Sequence, residues 1–233
     1  MKLHNATVLI TGANRGIGLA FAREALARGA RKVYAAARDP SKITLPGVVP
    51  VRLDVTKPDE VAALAAELKD VDVLINNAGI ADFGGFLAEG SVASARKHFE
   101  TNVFGPIMLS QAFAPALAAN GGGAVLNVLS IASWINRPLL GVYGASKSAA
   151  WAFTNGLRHE LRGQGTQVLG LHMGFVDTDL TTGVEAPKSR PEDIVRVAFD
   201  ALEAGAEEVL GDEMTRQVKA SLGSPQAAYL AAV

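Results

Sequence analysis

The chain has 233 residues, 49% of them hydrophobic, enough for one sizeable core of the kind a single α/β domain of this length builds. Its 22 basic and 23 acidic residues leave a net charge of -1, which gives no reason to expect nucleic acid or an anionic membrane as the main partner. The absence of cysteine excludes disulfides, thiolate catalysis and Cys-ligated zinc, and it suits a reducing cytoplasm.

The opening segment, MKLHNATVLITG, lacks the long apolar region and cleavage site of a signal peptide, and no stretch reaches the length of a membrane span. The first expected strand, Thr7–Thr11, runs into Thr11-Gly12-Ala13-Asn14-Arg15-Gly16-Ile17-Gly18, which opens an expected helix over Ile17–Arg28. Glycines there let the backbone turn sharply and approach a pyrophosphate closely, and the helix N-terminus offers unpaired N–H groups to the anion. The spacing is G-x-x-x-G-x-G, not the commoner G-x-G-x-x-G, so taken alone it also fits an ordinary strand-to-helix turn.

The second strand, Lys32–Ala37, ends where a fold that reads a ribose 2′-hydroxyl carries an acidic residue. Ala37 stands in that place, followed by Arg38. Guanidinium groups form forked bonds to phosphate, so Arg38, together with Arg15, is expected to clamp a 2′-phosphate and to favour NADP. Asp39 next door opposes this, and two solvated surface arginines are the alternative.

Next come strands over Val48–Leu53 and Val71–Asn76, separated by a helix over Pro58–Leu68. A long helix over Val92–Ala118 is expected to break near Gly105-Pro106, because proline disfavours a helical residue before it and lacks a donor. Gly121-Gly122-Gly123 reads as a tight turn into a strand over Ala124–Leu129. A helix over Val142–Leu161, a strand over Gln167–His172, a helix over Pro191–Ala204 and a weak strand over Glu208–Leu210 follow. Runs such as VDVLI and AVLNVL are apolar on both faces, as a covered parallel sheet requires. Strand–helix alternation without a composition break predicts one doubly wound α/β domain over residues 1–233.

Tyr143 and Lys147 lie four residues apart on the Val142–Leu161 helix, so phenol and ammonium can be neighbours. A phenol titrates near pH 10, and a nearby cation favours its ionised form. Ser130 follows an apolar strand, where doubly wound sheets bind ligands, and its hydroxyl can donate to a substrate carbonyl; Ser133 is a rival for that role. A packed tyrosine, a surface lysine and a turn serine are the bland readings of the same three residues.

Taken jointly, the motifs resemble those of the short-chain dehydrogenase/reductase family over nearly the whole chain. The pattern is met in order by Thr11 to Gly18, Asp54-Val55, Asn76-Asn77-Ala78-Gly79, Asn102, Ser130, Tyr143 and Lys147. The resemblance implies a Rossmann sheet of about seven parallel strands in the order 3-2-1-4-5-6-7 and hydride transfer between NADP(H) and a carbonyl or alcohol. It implies Tyr143 as general acid/base, Ser130 as the group that orients the carbonyl, and Lys147 as binding the nicotinamide ribose and lowering the Tyr143 pKa. Asn102 is implied to hold a relay water, Asp54 to contact the adenine, and Asn76 to lie against the adenosine side. Ala78 and Gly79 are implied to support the cleft. Gly174, Val176 and Thr178 match the nicotinamide side of the pattern, although Met173 stands where the family usually has proline.

The segment near 179–190 forms a substrate lid in family relatives, and its shortness here suggests an open pocket for small or medium apolar ketones and aldehydes, with steroids and acyl-carrier substrates left open. The family also implies a homodimer or homotetramer built on the Val142–Leu161 helix, with burial within the monomer as the competing account. A non-catalytic NADP-binding sensor and a dedicated β-ketoacyl reductase are the alternatives. No metal is expected, since His4, His98, His159 and His172 have no ligand spacing. Asp177 and Asp179 are expected to cap the following short helix. Trp134, Leu139 and Leu140 are pocket candidates, with Phe83, Phe86 and Phe175 behind them.

Overall fold

The computed structural model describes residues 1–231. Seven parallel strands form one sheet: β1 (Thr7–Thr11), β2 (Lys32–Ala37), β3 (Val49–Arg52), β4 (Val73–Asn76), β5 (Ala124–Val128), β6 (Gln167–His172) and β7 (Glu208–Leu210). Their spatial order is β3-β2-β1-β4-β5-β6-β7, as expected. In the central strands, alternate residues serve opposite layers. Val8 and Ile10 of β1 join Ile75, Leu126 and Leu169 under helices α1 (Gly16–Ala27) and α6 (Pro191–Glu203), where the rings of Phe21 and Phe199 meet edge-on at 5.2 Å. Leu9, Leu74, Val125 and Val168 face the other way, toward α2 (Pro58–Glu67), α4 (Gly105–Ala119) and α5 (Gly141–Leu161). Strand order reverses between β1 and β4, so the crevice for a ligand opens at the carboxyl ends of these strands.

The expected break near Gly105-Pro106 does not occur. Helix α3 (Ser91–Phe99) passes through one widened turn, Glu100–Phe104, directly into α4. The Gly105 N–H closes that turn on the Glu100 carbonyl, and Pro106 then falls in the first turn of α4, where its missing N–H is not needed. Gly105 also lies close to Val55, since a Cβ there would stand 3.1 Å from a Val55 methyl. The consequence for the site is that Asn102 sits in the widened turn.

Gly121, Gly122 and Gly123 make the tight turn into β5, all with positive φ (90°, 104° and 61°). A Cβ on Gly123 would collide with the Asp72 carbonyl. Helix α7 (Glu213–Ser221) has no counterpart in the sequence reading. Asp212 starts it by accepting the Thr215 N–H at 2.8 Å. Among the described residues, no helix is long and apolar enough to cross a membrane.

Candidate active site

A cleft of about 780 Å³ opens at the reversal point of the sheet. One end is built by the glycine turn. Gly12 and Gly16 have φ of 67° and 55°, and at Gly18 a Cβ would strike the Gly12 carbonyl. Thr11 and Asn77 lock this turn to the end of β4. The Thr11 hydroxyl accepts the N–H groups of Asn77 and Ala78, each at 3.0 Å, and the Asn77 side-chain amide donates to the Thr11 carbonyl at 2.8 Å. Arg15, the residue before α1, forms no side-chain cap, so the first N–H groups of the helix face the cleft beside Asn14, Gly16 and Ile17.

Arg38 reaches the same cleft beyond Ala37 and has no carboxylate within ion-pairing distance among the described residues. Asp54 and Val55 line the wall next to it. Burial opposes ionisation of Asp54, yet the Thr56 N–H (3.0 Å) and hydroxyl (2.8 Å), with Arg38 nearby, hold its carboxyl below the ordinary value. Arg15 lines the same cleft as Arg38 but is ion-paired rather than free. Its guanidinium is held by Asp179 at 2.8 Å, across the mouth of the cleft.

At the other end, α5 places Tyr143 and Lys147 one turn apart, and β5 delivers Ser130 opposite them. The Ser130 hydroxyl accepts the Ala132 N–H at 3.1 Å and stands close enough to the Tyr143 phenol to favour its ionised form. Burial pushes the Tyr143 phenol above its ordinary value, against the lowering effect of Ser130. Lys147 donates to the Val128 carbonyl at 2.8 Å, its ammonium 5.8 Å from the centre of the Tyr143 ring. Burial brings Lys147 down to about 8.

Asn102 braces the wall. Its amide donates to the Ile80 carbonyl and to the Ser146 hydroxyl, each at 3.0 Å, and its oxygen accepts the Ile80 N–H at 2.9 Å. Gly79 permits that approach, since a Cβ there would lie 3.2 Å from the Asn102 oxygen. Gly174 donates its N–H to Asp212 at 2.6 Å, and Gly174, Val176 and Thr178 line the cleft on the β6 side.

Several expected residues fall elsewhere. The Asn76 side chain is turned from the cleft into the protein, donating to Asn127 at 2.8 Å, and Asn77 takes the cleft-facing place. Ser133 is buried away from the cleft, which leaves Ser130 without a rival. Leu140, Phe83 and Phe175 line the cleft, whereas Trp134, Leu139 and Phe86 do not. Thr178, not Asp177 or Asp179, is the cap of the short helix Asp179–Thr181, because the Asp179 carboxylate faces Arg15. His98 and His172 are fully buried and tied into the structure. No metal-ligand cluster exists among the described residues.

The sequence reading missed Arg137, which lines the cleft and has no side-chain partner among the described residues. The available signal was that Arg137 is the only charged residue between Ser130 and Tyr143.

A family model described as short chain dehydrogenase matches residues 6–189. The ketoacyl reductase HetN from Nostoc sp. is 32% identical over 228 residues, covering 89% of this chain and 79% of that protein. Galactitol 2-dehydrogenase (L-tagatose-forming) from Cereibacter sphaeroides is 37% identical over 202 residues, covering 82% and 78%. A crystal structure of a short chain dehydrogenase from Burkholderia cenocepacia in complex with NADP is 36% identical, with a TM-score of 0.94 over 100% of both chains.

Proposed function

The chain belongs to the short-chain dehydrogenase family, and from that premise we propose that it reduces small or medium ketones and aldehydes with NADPH and catalyses the reverse oxidation of alcohols. The observation that carries this reading is the meeting of Ser130, Tyr143 and Lys147 at one end of a cleft whose other end is a glycine cradle.

The residues present fit NADP(H). The cradle leaves no room for a Cβ at Gly18, and Arg38, exposed and without a carboxylate partner among the described residues, suits a 2′-phosphate. Thr11 to Gly18 would hold the pyrophosphate, Asp54 and Val55 the adenosine, and Lys147 with Gly174, Val176 and Thr178 the nicotinamide half. When bound, the cofactor supplies or accepts the hydride.

The chain's own groups handle the proton and the oxygen. Ser130 accepts the Ala132 N–H, and its own hydroxyl proton, which otherwise favours the Tyr143 phenolate, can turn to a substrate carbonyl. Tyr143 keeps its proton at neutral pH and gives it to the oxygen as negative charge develops there. The buried ammonium of Lys147 favours the phenolate that results. A cavity of about 10 Å³ between Asn102, Lys147 and Val128 has room for one water, through which the proton would be replaced.

The lid near 179–190 belongs to the same proposal. Its base is fixed by the Asp177 N–H on the Ser189 carbonyl at 2.9 Å, while Leu180 and Val184 face the cleft. A cytoplasmic location and a homodimer or homotetramer built on α5 complete it. Exposed Gly156 supports that assembly by leaving open space on the helix surface.

The test is NADPH consumption over aldehydes, aryl ketones, β-keto esters and keto acids, the last included because Arg137 can pair with a carboxylate. Turnover lost in Tyr143→Phe supports the reading. An enzyme that binds NADPH but reduces none of these compounds is a sensor, and the proposal then fails.

A further inference from the structure

We propose that His172 is a positioning residue for this reaction: its Nδ1–H grips the Ser130 backbone carbonyl and so sets where the Ser130 hydroxyl stands in the cleft. The inference rests on Ser130 being the residue that orients the substrate carbonyl.

His172 ends β6, fully buried, and its Nδ1 lies 3.1 Å from the Ser130 carbonyl oxygen, 42 residues away in sequence. Only the tautomer with the proton on Nδ1 can make that bond. Burial keeps the imidazole neutral, with its pKa lowered to about 4 against the opposing pulls of the Ser130 carbonyl and Glu208; the positive charges of Lys219 and Lys147 act in the same lowering direction. A neutral ring has one N–H, and here it is used on Ser130.

The same serine is held from its own turn. Its carbonyl also accepts the Ser133 N–H at 3.0 Å, and its hydroxyl accepts the Ala132 N–H at 3.1 Å. Carbonyl and hydroxyl of Ser130 are therefore fixed by one short piece of backbone, and a rotation of that peptide moves both. Among the described residues, His172 is the one side chain bonded to the Ser130 carbonyl.

The ring itself is prevented from turning. Trp134 stacks on it with centroids 4.0 Å apart and planes 22° apart, and Trp151 meets it edge-on at 6.5 Å. Lys219 of α7 covers the stack, 4.7 Å from the Trp134 ring and 2.9 Å from Glu208 of β7. The arrangement carries a stability cost, because neither His172 Nε2, which lies 3.7 Å from the Glu208 carboxylate, nor Trp134 Nε1 has a hydrogen-bond partner among the described residues. An apolar residue would avoid that cost, so the bond to Ser130 is what the imidazole supplies that a leucine cannot.

Two variants separate positioning from packing. In His172→Asn the amide nitrogen falls near the Nδ1 position and can still donate to Ser130; in His172→Gln it falls near the Nε2 position and cannot. Both lose the stack, and both are expected to lower Tm. His172→Gln is expected to lose at least tenfold in kcat with the Kd for NADPH within twofold of the parent, whereas His172→Asn keeps kcat within threefold. Equal loss of kcat in both variants, or full activity in His172→Gln, overturns the proposal.

Nitrogen NMR of the intact, histidine-labelled enzyme with NADPH gives a check that does not depend on any variant folding. A neutral ring protonated on Nδ1 is expected at pH 7, and a proton on Nε2 overturns the proposal. An inactive parent enzyme would instead defeat the oxidoreductase reading, which keeps the two failures apart.

Discussion

In the proposed reaction two requirements meet at Tyr143. The hydroxyl must keep its proton until the substrate oxygen takes it, and burial secures that; it must also bear the charge it is left with, and Lys147 lies one turn away for the purpose. Removing the hydroxyl in Tyr143→Phe is expected to cut kcat at least roughly a hundredfold while leaving NADPH binding intact, as read by fluorescence titration. Lys147 loses its proton as pH rises through about 8, so carbonyl reduction is expected to fall above that value. A profile of kcat/KM that stays flat from neutral to pH 9.5 would contradict the assignment.

His172 gives a stability test with the opposite direction in pH. Its folded pKa of about 4 lies below the ordinary 6.5, so between those values the unfolded chain binds a proton that the native chain does not. Stability should therefore decline as pH falls through this window, by about 3 kcal/mol for this one group. Urea midpoints from pH 7 to 4.5 measure it, and the decline should be shallower in His172→Gln.

At the scale of elements, the Gly121–Gly123 turn is where sequence and geometry agree most closely. Gly123 combines a left-handed φ of 61° with a Cβ position that the Asp72 carbonyl already fills. Gly123→Ala is expected to cost at least about 2 kcal/mol in urea unfolding, since neither the dihedral nor the neighbour can give way cheaply.

The five inner strands were legible because each is a short apolar run closed by turn residues, and the parallel order requires both faces of those runs to be covered; the edge strands β3 (Val-Pro-Val-Arg) and β7 (Glu-Val-Leu) carry less of that signal. The ends moved by a residue or two where a ladder partner was missing. β4 begins at Val73, not Val71, because the Asp72 carboxylate takes the Thr7 N–H at 2.8 Å ahead of the strand. The widened turn at Glu100–Phe104 was read as a break because proline chemistry announces trouble without saying how the backbone absorbs it. Helix α7 was silent because it carries almost no apolar stripe; it is held by its Asp212 cap and by Lys219 over two tryptophans. The spacing of Tyr143 and Lys147 is local and so was readable. The contacts of His172 with Ser130 and of Arg15 with Asp179 join residues 42 and 164 positions apart, and no periodicity carries such information.

For the whole molecule, the cleft is the seam between the two halves of the sheet. The glycine turn and Arg38 come from the β1–β2 side, and Ser130, Tyr143 and Lys147 from the β5 side. A cofactor bridging that seam binds only the folded chain. At a hundred times its Kd it should add about 2.7 kcal/mol and raise Tm by roughly 5–10 °C. NADPH is expected to protect more than NADH at equal concentration, and Arg38→Ala should abolish the difference; equal protection of the parent chain by both would remove Arg38 as the phosphate reader.

The cover over the His172–Trp134 stack has a consequence for synthesis. Glu208 and Lys219 come from β7 and α7, which leave the ribosome after the six strands that build the cleft. A nascent chain can thus close most of its sheet while that stack still faces water. Ser130 acquires its finished backing only once the segment carrying Lys219 has emerged and folded down.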